Sequence, residues 1–462
     1  MNHPELPAAL GLDTEPLASR SSSGRDLAAR FRRTQGSVKF RPLNVGRGVV
    51  WTGFALLLIV APLVFSSGLG LTLLSQVGIA IVACLAFNIL LGQGGMLSFG
   101  HAVYSGLGSY VAIHALNAIS GGTLPLPVSL VPLVGGIAGM GFAVLLGYVT
   151  TKKSGTTFAM ITLGLGELVF AMSLMVPEFF GGEGGVSGNR VTGKAVMGIT
   201  FGPQLQVYGL IALYCFVCTA AMFAFTRTPL GRMLNAVRDN PERAEFIGFS
   251  TRRVRYLAFI ISGFFAGIAG GLYTLNFEIV TAEVVGAGRS GGYLLFTFLG
   301  GATYFFGPII GAVMMVMASV LLSEFTKAWL LYLGLVFLFM VMYAPGGIAS
   351  LIMMNLRVAA YGRLRSLWTS YLALATTALV MLAGAACVIE MVYHLQLNVT
   401  AGSTVRFLGA TLDVYQVDSW FGAVFVLLTG LGLFEVARRE FKRQWDTVQQ
   451  DIEKDVRKRE AA

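Results

Sequence analysis

The sequence predicts an all-α fold, a polytopic integral membrane helical bundle of roughly 10–12 transmembrane or half-membrane segments. Three observations carry that prediction. Of 462 residues, 55% are hydrophobic and only 12% are charged, against about 25% charged in an ordinary soluble domain. Glycine numbers 58, near twice its usual share of about 7%, and it lacks the third-residue period of collagen. Apolar runs of about 20 residues recur along the chain, each long enough to cross a bilayer. Together these exclude a soluble globular domain and a disordered one.

Residues 1–47 carry eight basic residues (Arg20, Arg25, Arg30, Arg32, Arg33, Lys39, Arg41 and Arg47) against four acids. The stretch is too long and too polar for a signal peptide and reads as a cytoplasmic basic arm. Apolar segments follow at roughly 49–66, 70–92, 96–117, 127–150, 156–176, 207–226, 254–277, 291–302, 305–323, 328–344, 369–393 and 419–437. The 291–302 run is short and reads as a half-helix or re-entrant piece. Lys/Arg in short loops mark the cytoplasmic side. Lys152, Lys153, the loop 227–253 and Arg357, Arg363 and Arg365 therefore fall inside, and 177–206 falls outside. This demands an odd number of crossings between 277 and 357, so the short segment must cross or a neighbour must differ. The tail 438–462, dense in both charges, reads as a solvated cytoplasmic helix, which leaves both termini in the cytoplasm.

The net charge of +10 could suggest nucleic acid, but the basic residues sit in short blocks between apolar runs. Membrane orientation explains them, and no nucleic-acid partner is expected. Cys84, Cys215, Cys218 and Cys387 all lie inside apolar stretches, where a disulfide framework or a zinc site is not expected. Only four histidines are present, His3, His101, His114 and His394, and no catalytic or metal spacing appears. The run Gly188-Asn-Arg-Val-Thr-Gly193-Lys194 fits G-x-x-x-x-G-K, but Ala195 stands where a phosphate-binding loop needs Ser or Thr for Mg²⁺. The chain is thus not expected to be an enzyme, and no cofactor or metal is expected.

Polar and glycine-rich stretches inside the membrane are more telling. Residues 92–109 hold six glycines with Gln93, Ser98, His101 and Tyr104. Backbone freed by glycine at membrane depth must be buried in protein or line a wet cavity, so both a packing role and a pathway stand open. Gly263, Gly267 and Gly271 repeat at four-residue spacing, a small-residue face for close helix packing. Glu167 lies mid-segment, where a charge costs at least about 2.5–3.5 kcal/mol. It is expected to face the bundle interior with a partner, as a structural lock or as part of a transport route. His101 reads more readily as a structural donor than as a ligand.

The loop 227–253 predicts two short amphipathic helices. Met233, Leu234 and Val237 share one face, Pro241 starts the second piece, Phe246 and Ile247 give it an apolar edge, and Gly248 ends it. Such a pair suits docking into a groove on a partner, or it lies on anionic headgroups.

Several stretches resemble one family. Leu85-Ala-Phe-Asn88-Ile-Leu-Leu-Gly92-Gln-Gly-Gly-Met-Leu-Ser98-Phe99-Gly100-His101-Ala102 is similar to the signature of branched-chain amino acid ABC-transporter permeases. So are Thr162-Leu-Gly-Leu-Gly166-Glu167, the outer stretch 181–188, Gly231-Arg232 through Gly248, Leu299-Gly-Gly with Gly307-Pro308 and Gly311, and Pro345-Gly346-Gly347. The likeness covers about 49–352. It implies a permease domain over 48–352, with 353–437 as extra C-terminal membrane segments. Ser109 and Met96 depart mildly from the usual pattern, and 353–462 has no counterpart in it.

The resemblance further implies an importer permease of the bacterial inner membrane, moving branched-chain amino acids or a related small solute. Implied partners are two cytoplasmic ATPase subunits, a second related permease and an extracytoplasmic substrate-binding protein. Gly231, Arg232, Ala236, Arg238, Asp239, Asn240, Glu245 and Gly248 would then form the ATPase-coupling loop. Asn88, Gln93, Ser98, His101, Tyr104 and Glu167 become the candidate translocation path. Relatives carrying urea, short amides or aromatic acids keep the solute open. An ATPase-independent secondary transporter is the competing class, although such proteins place several ionisable residues at midplane, and this chain offers mainly Glu167.

Overall fold

A computed structural model describes residues 47–191, 200–397, 404–407 and 410–461. The arm expected over 1–47 lies outside the described residues except for Arg47. The helices are α1 (Arg47–Val64), α2 (Gly68–Asn88), α3 (Ala102–Ser120), α4 (Val131–Thr150), α5 (Thr156–Met175), α6 (Gln204–Phe225), α7 (Pro229–Asp239), α8 (Pro241–Phe246), α9 (Thr251–Phe277), α10 (Ala287–Gly300), α11 (Gly307–Val316), α12 (Trp329–Tyr343), α13 (Gly347–Ala360), α14 (Leu364–Leu397) and α15 (Val417–Ala461), joined by short turns. Among the described residues, eight helices are long and apolar enough to cross a membrane, or nine if α12 and α13, bent by 48°, count as one span. The chain is an all-α polytopic membrane protein.

Two landmarks mark opposite ends of the bundle. At one end Val186–Ser187 pairs antiparallel with Ile279–Val280, forming a small ribbon. Arg190 clamps it by donating to the Leu275 carbonyl at 3.0 Å and the Phe201 carbonyl at 3.0 Å, while its own amide donates to Glu278 Oε1 at 2.8 Å. Arg190 belongs to the G-x-x-x-x-G-K run, and here it is spent on structure; positions 192–199 lie outside the described residues. At the other end α7 and α8 form the connection between α6 and α9.

The core is built where helices approach on glycine. Gly263, Gly267 and Gly271 of α9 face Gly135 and Gly139 of α4 and Gly108 of α3. A Cβ on Gly108 would stand 2.7 Å from Gly267 Cα, and one on Gly139 would stand 2.8 Å from it. Such contact lets backbones approach where apolar bulk cannot, because lipid is as apolar as leucine. Ser109, the departure from the family pattern, donates from its hydroxyl to the Gly270 carbonyl at 2.9 Å, and the Thr274 hydroxyl donates to the Ser109 carbonyl at 3.0 Å. The substitution thus adds a hydrogen bond between α3 and α9. The polar residues that make α3 less apolar than a lipid-facing span are covered by α4 and α9.

α10 is the predicted half-helix. Its 14 residues rise about 21 Å, and the turn Ala282–Val285 leads into it from the ribbon. It ends against the far landmark, where Ala302 shares a cleft with Arg238 and Pro345. Between Phe277 and Leu364 the helices long and apolar enough to cross are Gly307–Phe325 and the bent pair of α12 and α13, while α10 is too short to count with them.

Beyond Pro345, α14 and α15 form a close antiparallel pair, with Gly384 against Leu427 and Gly430 against Met381. Glu390 of α14 accepts from Thr326 Oγ1 at 2.6 Å and from Tyr332 Oη at 3.1 Å, which fastens this pair to α12. The tail is not solvated all round. α15 runs unbroken for 45 residues, and Val448 and Ile452 bury against Val358 and Leu367. Arg363 bridges Asp451 at 3.0 Å and Asp455 at 3.6 Å, a minor contribution beside the apolar contact.

Candidate functional site

α2 is buried along most of its length from Gly78 to Asn88. It then loosens into a π-turn over Ile89–Gln93, a local form common at functional sites. Gly95, at φ +63°, turns the chain, and the backbone runs without helix until α3 begins after His101. Small residues are required here. A Cβ on Gly92 would strike the Ala302 carbonyl, and one on Gly100 would strike the Thr162 carbonyl. Irregular backbone inside a membrane protein must find its hydrogen bonds in protein. The Phe99 amide donates to Thr162 Oγ1 at 3.1 Å, and the Ala102 amide donates to Ser290 Oγ at 3.0 Å. The sequence named Thr162 only as part of a motif and gave no signal for Ser290, whose partner lies 188 residues away.

The break buries Asn88, Ser98, His101 and Tyr104, and leaves Gln93 partly exposed. Asn88 Oδ1, Ser98 Oγ and both ring nitrogens of His101 find no hydrogen-bond partner among the described residues. Buried polar atoms are nearly always paired, and these four, on three residues between Asn88 and His101, depart from that rule. The reading of His101 as a satisfied structural donor therefore fails. Its ring is boxed by Phe87 at 5.2 Å, Tyr104 at 6.2 Å and Tyr293 at 6.4 Å, and Tyr104 leans edge-on against Phe259 at 5.0 Å.

Glu167 requires a correction. It does not face the bundle interior. The inner face of α5 is Phe158, Ala159, Thr162, Gly166, Val169 and Ser173, which packs behind the broken segment. Glu167 lies on the opposite, exposed face with Met160, Gly164, Leu168 and Ala171, and no side chain of the described residues pairs with it.

The coupling-type loop forms the two predicted helices. Thr228 caps α7 by accepting from the Gly231 amide at 3.2 Å, and Asn240 caps α8 by accepting from the Arg243 amide at 3.0 Å. Pro229 and Pro241 each take the first helical position, where no amide donor is needed. Leu234, Val237 and Ala244 are buried. Gly231 is close-packed on the end of α6, 2.9 Å from Thr226 Cα measured from an added Cβ. Arg232, Ala236, Asp239, Glu245 and Gly248 are exposed, and Glu245 accepts from Thr251 Oγ1 at 2.6 Å. Phe246 is 90% and Ile247 71% exposed, a bare apolar edge at the end of the pair.

Arg238 joins this loop to the break. Its guanidinium donates to the Gly92 carbonyl in the π-turn, and its stem lies over Gly95, whose added Cβ would stand 2.8 Å from Arg238 Cγ. Asp239 steers it, accepting from Arg238 Nε at 2.9 Å. The sequence singled out both Arg238 and its neighbours but not this link, which spans 146 residues.

No solved structure matches the chain. The high-affinity branched-chain amino acid transport permease LivM of Salmonella typhimurium is 28% identical over 288 residues, covering 58% of this chain and 67% of the relative. LivM of Escherichia coli is 27% identical over the same shares, and the fructose import permease FrcC of Rhizobium meliloti is 26% identical over 277 residues, covering 54% and 69%. The family described as the branched-chain amino acid transport system permease component matches residues 69–345. That stretch holds the broken helix, the capped loop and the link between them, and ends before α13. Since it takes in more than half of the sequence, the chain belongs to the permease component family of branched-chain amino acid transport systems.

Proposed function

We propose that this chain is the membrane subunit of an ATP-driven importer of the bacterial inner membrane that moves branched-chain amino acids or a related small solute. It would work with two cytoplasmic ATPase subunits, a second related permease and an extracytoplasmic substrate-binding protein. The observation that carries this reading is the bond from Arg238 to Gly92. It ties a loop shaped for docking to a break in a buried helix lined with unpaired polar atoms, so displacement of one moves the other. The loop end is then cytoplasmic and the ribbon end extracytoplasmic. The solute class follows the LivM relatives. Purification in mild detergent with mass spectrometry tests the assembly. An ATPase bearing a complete phosphate-binding loop, together with a related permease, is expected. A stably folded chain that neither captures nor crosslinks to an ATPase would sink the reading.

Gly248 offers a test of the docking edge. It adopts φ +90° with open space around it, so a larger residue there meets strain rather than a clash. Gly248→Val is expected to turn Phe246 and Ile247 away and to cut uptake by about three- to tenfold, with the membrane level of the chain unchanged. Unaltered uptake would remove this edge from the docking surface.

Glu167 bears on the second permease. A carboxylate against lipid at midspan costs at least about 2.5–3.5 kcal/mol, and Gly164 and Ala171 flank it with the small residues that helices use for close approach. We place the partner permease on this face of α5. An added Cβ at Gly164 meets nothing within 4 Å, so Gly164→Cys in a chain cleared of its four native cysteines should fold and crosslink to the partner. Leu379→Cys, exposed on α14, serves as the control. Crosslinking at 379 but not at 164 would move the contact to the C-terminal helices.

A further inference from the structure

α10 carries one charged side chain, Arg289, in its first turn. Between Glu283 and Glu324 it is the only charge in the sequence. Its guanidinium lies over the ring of Tyr273 at 4.8 Å and that of Tyr293 at 5.9 Å, and Nε donates to Tyr293 Oη at 3.3 Å. These rings come from α9 and α10. A third wall is α2, which brings Gln76, Ile79, Ala80 and Ala83 to the same cleft, and α11 closes it with Met315 and Val316. Gln76 to Ala83 stand 8–15 residues into α2, about 12–22 Å along the helix axis. The cleft therefore lies at mid-depth along α2 and not at either of its ends.

Arg289 has no acidic partner among the described residues, and its two terminal amino groups make no hydrogen bond to them. Gln76 likewise makes none. The rings take the faces of the guanidinium, but its in-plane donors remain. An Arg kept within a membrane bundle is normally paired or faces a functional cavity, and the guanidinium fork matches two oxygens of one oxyanion. Tyr293 also touches the His101 ring at 6.4 Å, so the cleft adjoins the broken segment on the side toward the ribbon.

We propose that the Arg289 cleft is a binding site for an oxyanion, held by the terminal amino groups of Arg289 with Gln76 as a neutral second donor. Two sources share this chemistry: the carboxylate of a transported solute, and the phosphate of an anionic lipid headgroup. The solute source rests on the importer reading above and narrows it to carboxylate-bearing solutes; the lipid source does not depend on it.

The test uses the full chain with its membrane-bound partners in nanodiscs, without the soluble binding protein and without ATP. L-Leucine and isovalerate serve as carboxylate probes, L-leucine methyl ester as the probe lacking that charge, and phosphatidylglycerol in a phosphatidylcholine background as the lipid probe. Wild type is expected to bind one class. A solute site takes leucine or isovalerate, ignores the methyl ester and is indifferent to phosphatidylglycerol. A headgroup site retains phosphatidylglycerol in native mass spectrometry and takes neither carboxylate. In either case Arg289→Gln should weaken binding at least tenfold, and Arg289→Lys, which keeps the charge but not the fork, should fall between. Tyr293→Phe, which removes the hydroxyl that accepts from Arg289 Nε, should weaken binding by less than Arg289→Gln. Equal binding by wild type and a folded Arg289→Gln variant would overturn the site, as would failure of wild type to hold either class. If Arg289→Gln does not fold, loss of binding in folded Arg289→Lys decides the matter, and undiminished binding there overturns the fork. Because neither readout uses ATP, a missing ATPase would defeat the importer reading and leave this measurement intact.

Discussion

Gly267→Val is expected to leave almost no folded chain in the membrane. An added Cβ at Gly267 meets the Gly135 carbonyl, Gly135 C at 3.0 Å and Gly136 Cα at 3.0 Å. All of these are backbone, so no flexible side chain can swing aside. The same glycine receives Gly108 of α3 and Gly139 of α4, and one branched side chain therefore wedges three helices at their closest point. Overpacking in a core costs about 1–3 kcal/mol when side chains can shift, and more where only helix separation relieves it. That separation also lengthens the bonds from Ser109 to Gly270 and from Thr274 to Ser109, each worth about 0.6–2 kcal/mol in a membrane. Together these come to about 2–7 kcal/mol, which reaches the lower end of the 5–15 kcal/mol of a typical fold. Detergent-stable, monodisperse protein measured by fluorescence-detected size exclusion should fall more than tenfold. Gly141→Val is the control, since an added Cβ at Gly141 on α4 meets nothing within 4 Å, and it should behave as wild type. Equal yields of the two variants would show that the glycine contact among α3, α4 and α9 does not decide folding.

That contact was legible in the sequence because four-residue glycine spacing is a local pattern. So was the helix pair after α6, where Met233, Leu234 and Val237 share a face and Pro241 starts the second piece. The glycine and polar residues of 92–109 were visible too, but 96–117 reads as one apolar segment, whereas helix begins only at Ala102. The orientation of Glu167 was not legible. In a soluble helix the apolar stripe reveals the inner face, but a membrane helix is apolar on both sides, and α5 offers no such stripe. Gly166 and Glu167 are adjacent in sequence, yet one packs on Gly100 and the other faces outward. Only the neighbouring helices decide between them. The π-turn, the partners of Phe99 and Ala102, and the Arg289 cleft were equally out of reach, because each joins residues from segments far apart in the chain.

Arg238→Ala is expected to uncouple the loop from the break. The Arg238 side chain is 35% exposed and lies over the turn at Gly95 rather than among the packed helices, so expression and ATPase capture should stay close to wild type. What changes is the hold on Gly92. A hydrogen bond from a charged donor is worth about 1.5–3 kcal/mol, which corresponds to roughly 10- to 150-fold in an equilibrium between linked and unlinked states. Without it the Gly92 carbonyl loses its donor, and α7 can tilt without drawing the π-turn along. In the importer proposed above, uptake should fall within that range while ATP hydrolysis continues at its basal rate, no longer raised by solute-loaded binding protein. Arg238→Lys should recover part of the loss, because an ammonium can reach Gly92 or Asp239 but lacks the fork that serves both. Asp239→Asn keeps the donor and loosens its aim, so its effect should be smaller than that of Arg238→Ala. The order matters more than any single value. A purely electrostatic role for the loop, such as attraction to headgroups or to an acidic ATPase surface, would make Arg238→Lys equal to wild type and Asp239→Asn better than wild type. A latch between α7 and the π-turn gives wild type above Asp239→Asn, and Arg238→Lys above Arg238→Ala, with ATPase binding flat across the series. Wild-type uptake by Arg238→Ala would break the link between docking and the broken helix, and with it the main physical support for a chain driven from its loop end.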